Sequence, residues 1–266
     1  MDLLMPFAPH PRLRRYISHY WLSRNSSAGD HRILPDGCVD LVLAASHDLT
    51  VTAYGSTTAP GTARVQAGHH YLGIRFHPGQ HRHFLPLPAA ELRDSALPLP
   101  DHRGLIATLD SQVFTHPHPG RILDQRLLDW LAHYPVETDA LDRWLLHAPW
   151  KSGIAPVCHA FGVSKRQLQR QFQQRLGISP MTFLTIRRCQ WLIRTLTQEG
   201  VPPLAALAQD AGFADQSHMT RTLKRVMGVT PAAAILPDHD VAFIQDAVRT
   251  PPPNLTLPGA CSRAPI

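Results

Sequence analysis

Lys165, Arg166, Gln169 and Arg170 cluster on one short stretch of this 266-residue chain, and Gln216, Ser217, Thr220, Arg221 and Lys224 cluster on another further along. An arginine fork can donate twice to guanine O6 and N7, and a glutamine amide can pair with adenine N6 and N7. Lysine and arginine also neutralise phosphate, which supplies affinity without sequence preference. Two such clusters point to recognition of duplex nucleic acid rather than to bond-making chemistry. The segment from 150 to 236 holds eleven Lys and Arg against three acids, Glu199, Asp210 and Asp215, whereas the rest of the chain is slightly acidic. A polyanion would therefore dock on that segment.

The elements that must position these side chains follow from a repeat. GVSKRQLQRQFQQRLGISP begins at Gly162 and GFADQSHMTRTLKRVMGVTP at Gly212, so that Arg170, Phe172, Gly177 and Pro180 answer to Arg221, Leu223, Gly228 and Pro231. Each copy reads as a helix-turn-helix. In the first, Ile154, Val157, Cys158 and Phe161 give a supporting helix its inward face, Gly162 makes the turn, and Ser164 caps the next helix. Leu168, Phe172 and Leu176 recur every fourth residue and must face a core, which sends Lys165, Arg166, Gln169, Arg170, Gln173 and Arg175 outward or to the flanks. In the second, Ala208, Ala211 and Gly212 lead to a cap at Asp215. Met219, Leu223 and Val226 take the core side there, leaving Gln216, Ser217, Thr220, Arg221, Lys224 and Arg225 outside. Neither outer face carries an acid, although solvated helices ordinarily mix signs.

Pro180 to Leu196 reads as one long helix between the units, with Pro in the first turn and Phe183, Ile186, Leu192, Ile193 and Leu196 for packing. Arg187, Arg188 and Arg194 on it face either phosphate or solvent. A stiff connector holds two reading helices at a fixed separation, which suits successive major grooves recurring about every 34 Å.

The fold class expected is α+β. Residues 1–115 form a small antiparallel β-barrel or sandwich-like domain, with strands in Arg32 to Ala45, Leu49 to Tyr54, Ala63 to Ala67 and Tyr71 to Phe76. Residues 116–147 are a helical linker, in which Ile122, Leu123, Leu127, Leu128 and Leu131, then Leu141, Trp144 and Leu145, lie at helical spacing. Those stripes pack within their own domain or form a dimer seam. Residues 148–240 carry the all-α repeat, and the Pro-rich 241–266 reads as a disordered tail.

With these motifs in place, residues from about 148 to 236 resemble the DNA-binding domain of the AraC/XylS family of bacterial transcription regulators. The resemblance rests on Gly162, Ser164, Leu168, Arg170, Phe172, Gly177 and Pro180, and on Gly212, Phe213, Ser217, Arg221, Lys224, Gly228 and Pro231. It implies two helix-turn-helix motifs joined by a long helix, with Arg166, Gln169 and Arg170 reading bases from the first and Gln216, Ser217 and Arg221 from the second. Met219 and Leu223 replace the family's usual Phe, and Cys158 its usual small Ala. The run from LPDGCVDLVL through GIRFHPGQ to LPAAEL resembles the N-terminal sensor-type domain of some of these regulators.

Enzymatic signatures are missing from the sequence: it has no GxSxG, no phosphate-cradling glycine loop and no HExxH. No catalytic residue, metal site or cofactor is expected. His69, His70, His77, His81 and His83 suit surface or hydrogen-bonding roles better than metal ligation, because no carboxylate or thiol stands near them at a recognised spacing. Cys38, Cys158, Cys189 and Cys261 are scattered and read as reduced thiols. The rival from another class is a DNA-alkylation sensor or repair protein using Cys38 as a reactive thiol; a buried structural Cys is the favoured reading. The partner expected is double-stranded promoter DNA, with RNA polymerase, an unidentified small-molecule effector and a second copy of the chain as further candidates, and no membrane. The absence of an export signal at the N-terminus places the protein in the bacterial cytoplasm, at the nucleoid when bound.

Overall fold

Alternation along the strands decides the architecture of the N-terminal half. In the computed structural model, which describes residues 3–235 apart from 26, 47, 100–103, 149–150, 152 and 199–200, eight strands appear. They are β1 (Leu3–Phe7), β2 (Ile17–Arg24), β3 (Gly29–Ile33), β4 (Val39–Ala45), β5 (Leu49–Tyr54), β6 (Gly61–Val65), β7 (His70–Phe76) and β8 (Ala96–Pro98). Six of them form one antiparallel sheet in the order β1-β2-β7-β4-β5-β8, and β3 pairs with β6 as a separate two-stranded ribbon. Successive side chains of a strand face opposite ways. One face of the large sheet accordingly buries Tyr20, Leu22, Leu41, Leu43, Val51, Ala53, Leu72, Ile74 and Phe76 in a common core. The other turns Trp21, Ser23, Asp40, Val42, Tyr54, Tyr71 and Arg75 into a cavity walled on its far side by β3 and β6.

Two short helices, α1 (Ala89–Leu92) and α2 (Gln112–Thr115), lead to α3 (Pro119–His133), whose Leu123 and Leu127 close the apolar face of the sheet. Next comes α4 (Ala140–His147), started by a capping box in which Asp139 and Asp142 exchange hydrogen bonds with each other's backbone N–H. Leu141 and Leu145 of α4 pack in a different core, built by α5 (Ile154–Phe161), α6 (Lys165–Leu176), α7 (Pro180–Leu196), α8 (Leu204–Asp210), α9 (Gln216–Met227) and α10 (Pro231–Ala234). The apolar stripes between the two halves are thus used inside this chain, one for each core. Leu34, from the turn between β3 and β4, is also buried in the helical core.

The expected α+β class, antiparallel sheet and helical repeat are all present. The sequence reading does not include β1, β2 or β8, and the Arg32 to Ala45 segment is the end of β3 and β4, separated by the Leu34–Cys38 turn. The Pro-rich 241–266 segment and Cys261 lie outside the described residues.

Candidate nucleic-acid interface

The two candidate reading helices, α6 and α9, are built alike. Ser164 accepts from the Gln167 N–H while Gln167 returns a bond to the Ser164 N–H, which satisfies two donors left over at the start of α6. Asp215 accepts from His218 N–H at 2.6 Å and starts α9. Leu168, Phe172 and Leu176 of α6 are buried, as are Met219, Leu223 and Val226 of α9. Lys165, Arg166, Gln169 and Arg170 are exposed, and so are Gln216, Ser217, Arg221 and Lys224, while Thr220 is half-buried. Met219 and Leu223 are fully buried and leave no exposed apolar surface.

Arg175, one of the residues that spacing sends outward or to a flank of α6, takes a flank: its side chain is only 15% exposed and is held by two carboxylates. Its Nη1 donates at 2.7 Å to both Asp139 and Asp142, and Asp142 also accepts from Arg82 Nη2 at 2.7 Å. The guanidinium beside Asp139 holds that carboxyl below the usual carboxylate range. Arg175 is therefore consumed in joining α6 to α4 and to the N-terminal half. Similarly, Arg188 lies 5.2 Å above the Phe213 ring, and Arg187 turns inward; of the three connector arginines only Arg194 is exposed.

Both reading helices end against the N-terminal half in the same manner. The last helical carbonyl of α6, on Leu176, accepts from Ser56 Oγ at 2.9 Å, and the matching carbonyl of α9, on Met227, accepts from Arg32 Nη2 at 2.8 Å. Such carbonyls have no partner inside their helix, and a cation at that end also complements the helix dipole. The residues that follow, Gly177 and Gly228, adopt φ of 70° and 68°. A Cβ on Gly177 would stand 2.2 Å from the Ala89 carbonyl oxygen, and one on Gly228 would stand 2.4 Å from the Arg32 guanidinium. The N-terminal halves of α6 and α9, which carry the predicted base-reading residues, take no part in this docking. Nothing in the helical repeat announces Ser56 or Arg32, since both act from the other half of the chain.

The cavity of the β half holds about 330 Å³. At its floor Asp40 accepts from Trp21 Nε1 at 3.2 Å and Arg75 Nη1 at 2.8 Å, and Arg75 also pairs with Asp36. Burial pushes the Asp40 carboxyl up to about 7, against the pull of the Trp21 hydrogen bond, and brings the Arg75 guanidinium down to about 10. Cys38 lines the same space. Burial and the neighbouring Asp40 push its thiol up to about 12, which opposes the thiolate that alkyl transfer requires. The five histidines do not assemble: His69 stacks on Tyr71 at one end of β7, and at the other His77 Nε2 donates to the Arg14 carbonyl at 3.1 Å. His81 is buried. Among the described residues no three His, Cys, Asp or Glu side chains are grouped to hold a metal ion, and no helix is long and apolar enough to cross a membrane.

Comparison with known proteins meets this geometry at residues 157–235, which match a family described as a helix-turn-helix domain. Over 105 residues the chain is 35% identical to a Streptomyces antibioticus protein described as AraC-like, covering 38% of this chain and 34% of that one. Residues 157–235 are thus a helix-turn-helix domain, similar to that of AraC-like regulators. Residues 5–98 match a domain of unknown function (DUF6597). The chain spans only a quarter to a third of the length of the curated relatives it matches. Among solved structures, an AraC-type regulator of Chromobacterium violaceum is 25% identical, with 32% of this chain and 74% of that one aligned at a TM-score of 0.30. ToxT of Vibrio cholerae aligns over 81% of this chain and 96% of its own at 11% identity and a TM-score of 0.40.

Proposed function

We propose that this protein is a sequence-specific DNA-binding transcription regulator, in which α6 and α9 enter successive major grooves of promoter DNA and the N-terminal module modulates that docking. The observation that carries this reading is the pair of exposed, acid-free faces on two helices of one repeat. On that reading Arg166, Gln169 and Arg170 read bases from the first unit and Gln216, Ser217 and Arg221 from the second. Lys165, Thr220 and Lys224 contribute chiefly to the phosphate backbone, so affinity falls steeply with salt. The exposed connector residue Arg194 is not placed on the duplex in this scheme. The Ser56 and Arg32 bonds supply the route of modulation, because each couples the last turn of a reading helix to the β half.

The test begins with selection of bound fragments from genomic DNA to give a cognate site, followed by binding measurements at fixed salt. Arg166→Ala and Gln169→Ala should each cost about 1–3 kcal/mol on the cognate duplex and little on a scrambled one. Equal losses on both duplexes would mean that these side chains only touch the backbone, and failure to select any site would remove the reading altogether.

A further inference from the structure

A second cavity, of about 210 Å³, lies between the halves, where the Leu34–Cys38 turn and the end of β7 face α4 and α7. Its lining includes Ser18, Cys38, His77, Arg187, Gln190 and Arg194. Arg187 is the anomaly there. Its Nη1 reaches Gln190 Oε1 at 3.3 Å and its Nη2 the Ala148 carbonyl at 3.5 Å, both long contacts to neutral acceptors. Its Nε is shut off from solvent and donates to nothing among the described residues. The Nε of the next residue, Arg188, is similarly unpaired, but that guanidinium has the Phe213 ring as compensation. A buried cation without a counter-charge is costly, and natural chains rarely leave one so.

The charges around Arg187 deepen the imbalance. Asp36 is committed to Arg75 and to the Cys38 N–H. The Cys38 thiol stays protonated. Burial and the nearby Arg194 bring Arg187 below its ordinary range. Burial also lowers His77 to about 4, helped by His147, Arg75 and Arg187 and opposed by its bond to the Arg14 carbonyl. The space is thus small, partly open to solvent and positive, with the exposed Arg194 on its lining.

The geometry points to a binding site for a small oxyanion, a carboxylate or phosphate group, held by Arg187 with Arg194 and Ser18 around it and seated between the β half and the connector helix α7. An anion there touches both halves at once and fixes the connector against the Leu34–Cys38 turn. Its effect on DNA rests on the regulator reading above; its binding does not.

The experiment uses the full chain, titrated with sodium phosphate, sodium acetate or sodium 3-phenylpropanoate at ionic strength held constant with sodium chloride, and read by calorimetry and melting temperature. At least one should bind saturably and stabilise the fold. Phosphate alone would identify a phosphate group, and either organic acid a carboxylate. Binding by 3-phenylpropanoate alone would place its apolar body in the larger cavity, which shares Leu34, Asp36, Cys38 and Arg75 with this one. Arg187→Gln should weaken binding about ten- to a hundredfold, the range for loss of a charged hydrogen bond. Arg194→Gln, at an exposed position, should weaken it less and serves as the test if the first variant does not fold. No saturable binding, or binding unaffected by the variants, overturns the site. DNA affinity on a selected site should then differ several-fold with and without the anion in the parent protein and not in Arg187→Gln. Anion binding with DNA affinity unchanged overturns the coupling, whereas absence of DNA binding under every condition sinks the regulator reading and leaves the anion site standing.

Discussion

The two reading helices share a blueprint but differ in how firmly the rest of the molecule grips them. At the end of α6, Ser56 holds the Leu176 carbonyl, the Ala89 backbone presses on Gly177, and Arg175 ties into Asp139 and Asp142. At the end of α9 the described contacts come from Arg32 and the ring of Pro60. The first grip is a backbone contact and a buried ion network, and the second depends on the far end of one flexible side chain. The second unit is thus joined to the β half by fewer described contacts than the first, and an equilibrium is most easily shifted where one arrangement rests on few contacts.

The largest expected break in that contrast is Asp142→Ala. Asp142 is 1% exposed and accepts from both Arg82 and Arg175, so its loss leaves two guanidinium groups beside a buried void. Removing one partner of a buried ion network costs about 3–5 kcal/mol. Denaturant unfolding should show a drop of that size, partly recovered in Asp142→Ala/Arg175→Met. A loss under 1 kcal/mol would show that the first grip is no firmer than the second.

A pair of glycine variants sharpens the same comparison. Both Gly177 and Gly228 are left-handed, so alanine at either should cost about 1–2 kcal/mol of backbone strain. Only at Gly177 does the new methyl meet a backbone oxygen that has no freedom to retreat, whereas at Gly228 it meets the movable end of Arg32 and the edge of Pro60. Gly177→Ala should therefore be the more destabilising of the two. Equal melting temperatures for both variants would contradict the assigned difference.

Local rules made much of this legible in the chain. The bounds of α7 follow from Pro180 and the apolar spacing through Leu196, and the caps at Ser164 and Asp215 follow from side chains that satisfy neighbouring backbone groups. Period-two alternation found β5. It failed for β2, because ISHYWLSR is buried on both faces, one in the core and one against the cavity, so no polar side marks it. For Arg175, helical spacing left open outward or flank, because it says which side a residue faces and not whether another element already covers that side. Arg32, Ser56 and the inward turn of Arg187 depend on contacts between distant segments, which periodicity cannot report.

Acid should separate the two halves of the molecule. His19, His77, His81 and His83 are fully or partly buried and brought down to about 3, 4, 4 and 4, chiefly by desolvation. Unfolded, each takes a proton near 6.5, so the stability each contributes is complete above that pH and is lost as pH falls from 6.5 toward 4. Asp40, raised to about 7, acts in the opposite sense: the folded state binds its proton between about 7 and the ordinary carboxylate range, which adds stability as pH falls through 7. Four losses against one gain leave a net weakening on going from pH 7 to 5, on the order of 1–2 kcal/mol per uncompensated histidine. In the helical half the resolved shifts are on Asp139, Arg175, Arg187 and Cys189, none of which titrates in that window. Hydrogen exchange, corrected for intrinsic rate, should show protection falling in β2 and β7 and holding in α5 to α9, with Asp40→Asn steepening the loss. Equal loss in both halves would mean that they open as one unit.

The smallest effect on stability, and the most telling for the proposed mechanism, belongs to Arg32. Its bond to the Met227 carbonyl lies at a partly solvated interface, so Arg32→Ala should lower stability by only about 1 kcal/mol. Its effect on DNA should exceed that, because the last turn of α9 then loses its tether to the β half while Ser56 still holds α6. Binding to a selected two-site duplex should change several-fold, and shifting the spacing of the two half-sites by one base pair should be tolerated better by Arg32→Ala than by the parent protein. Ser56→Ala should not relax that spacing, because the Arg175 network continues to fix α6 in its absence. Identical spacing tolerance in the two variants would mean that both reading helices are held equally, and that the second unit is not the place where the β half acts.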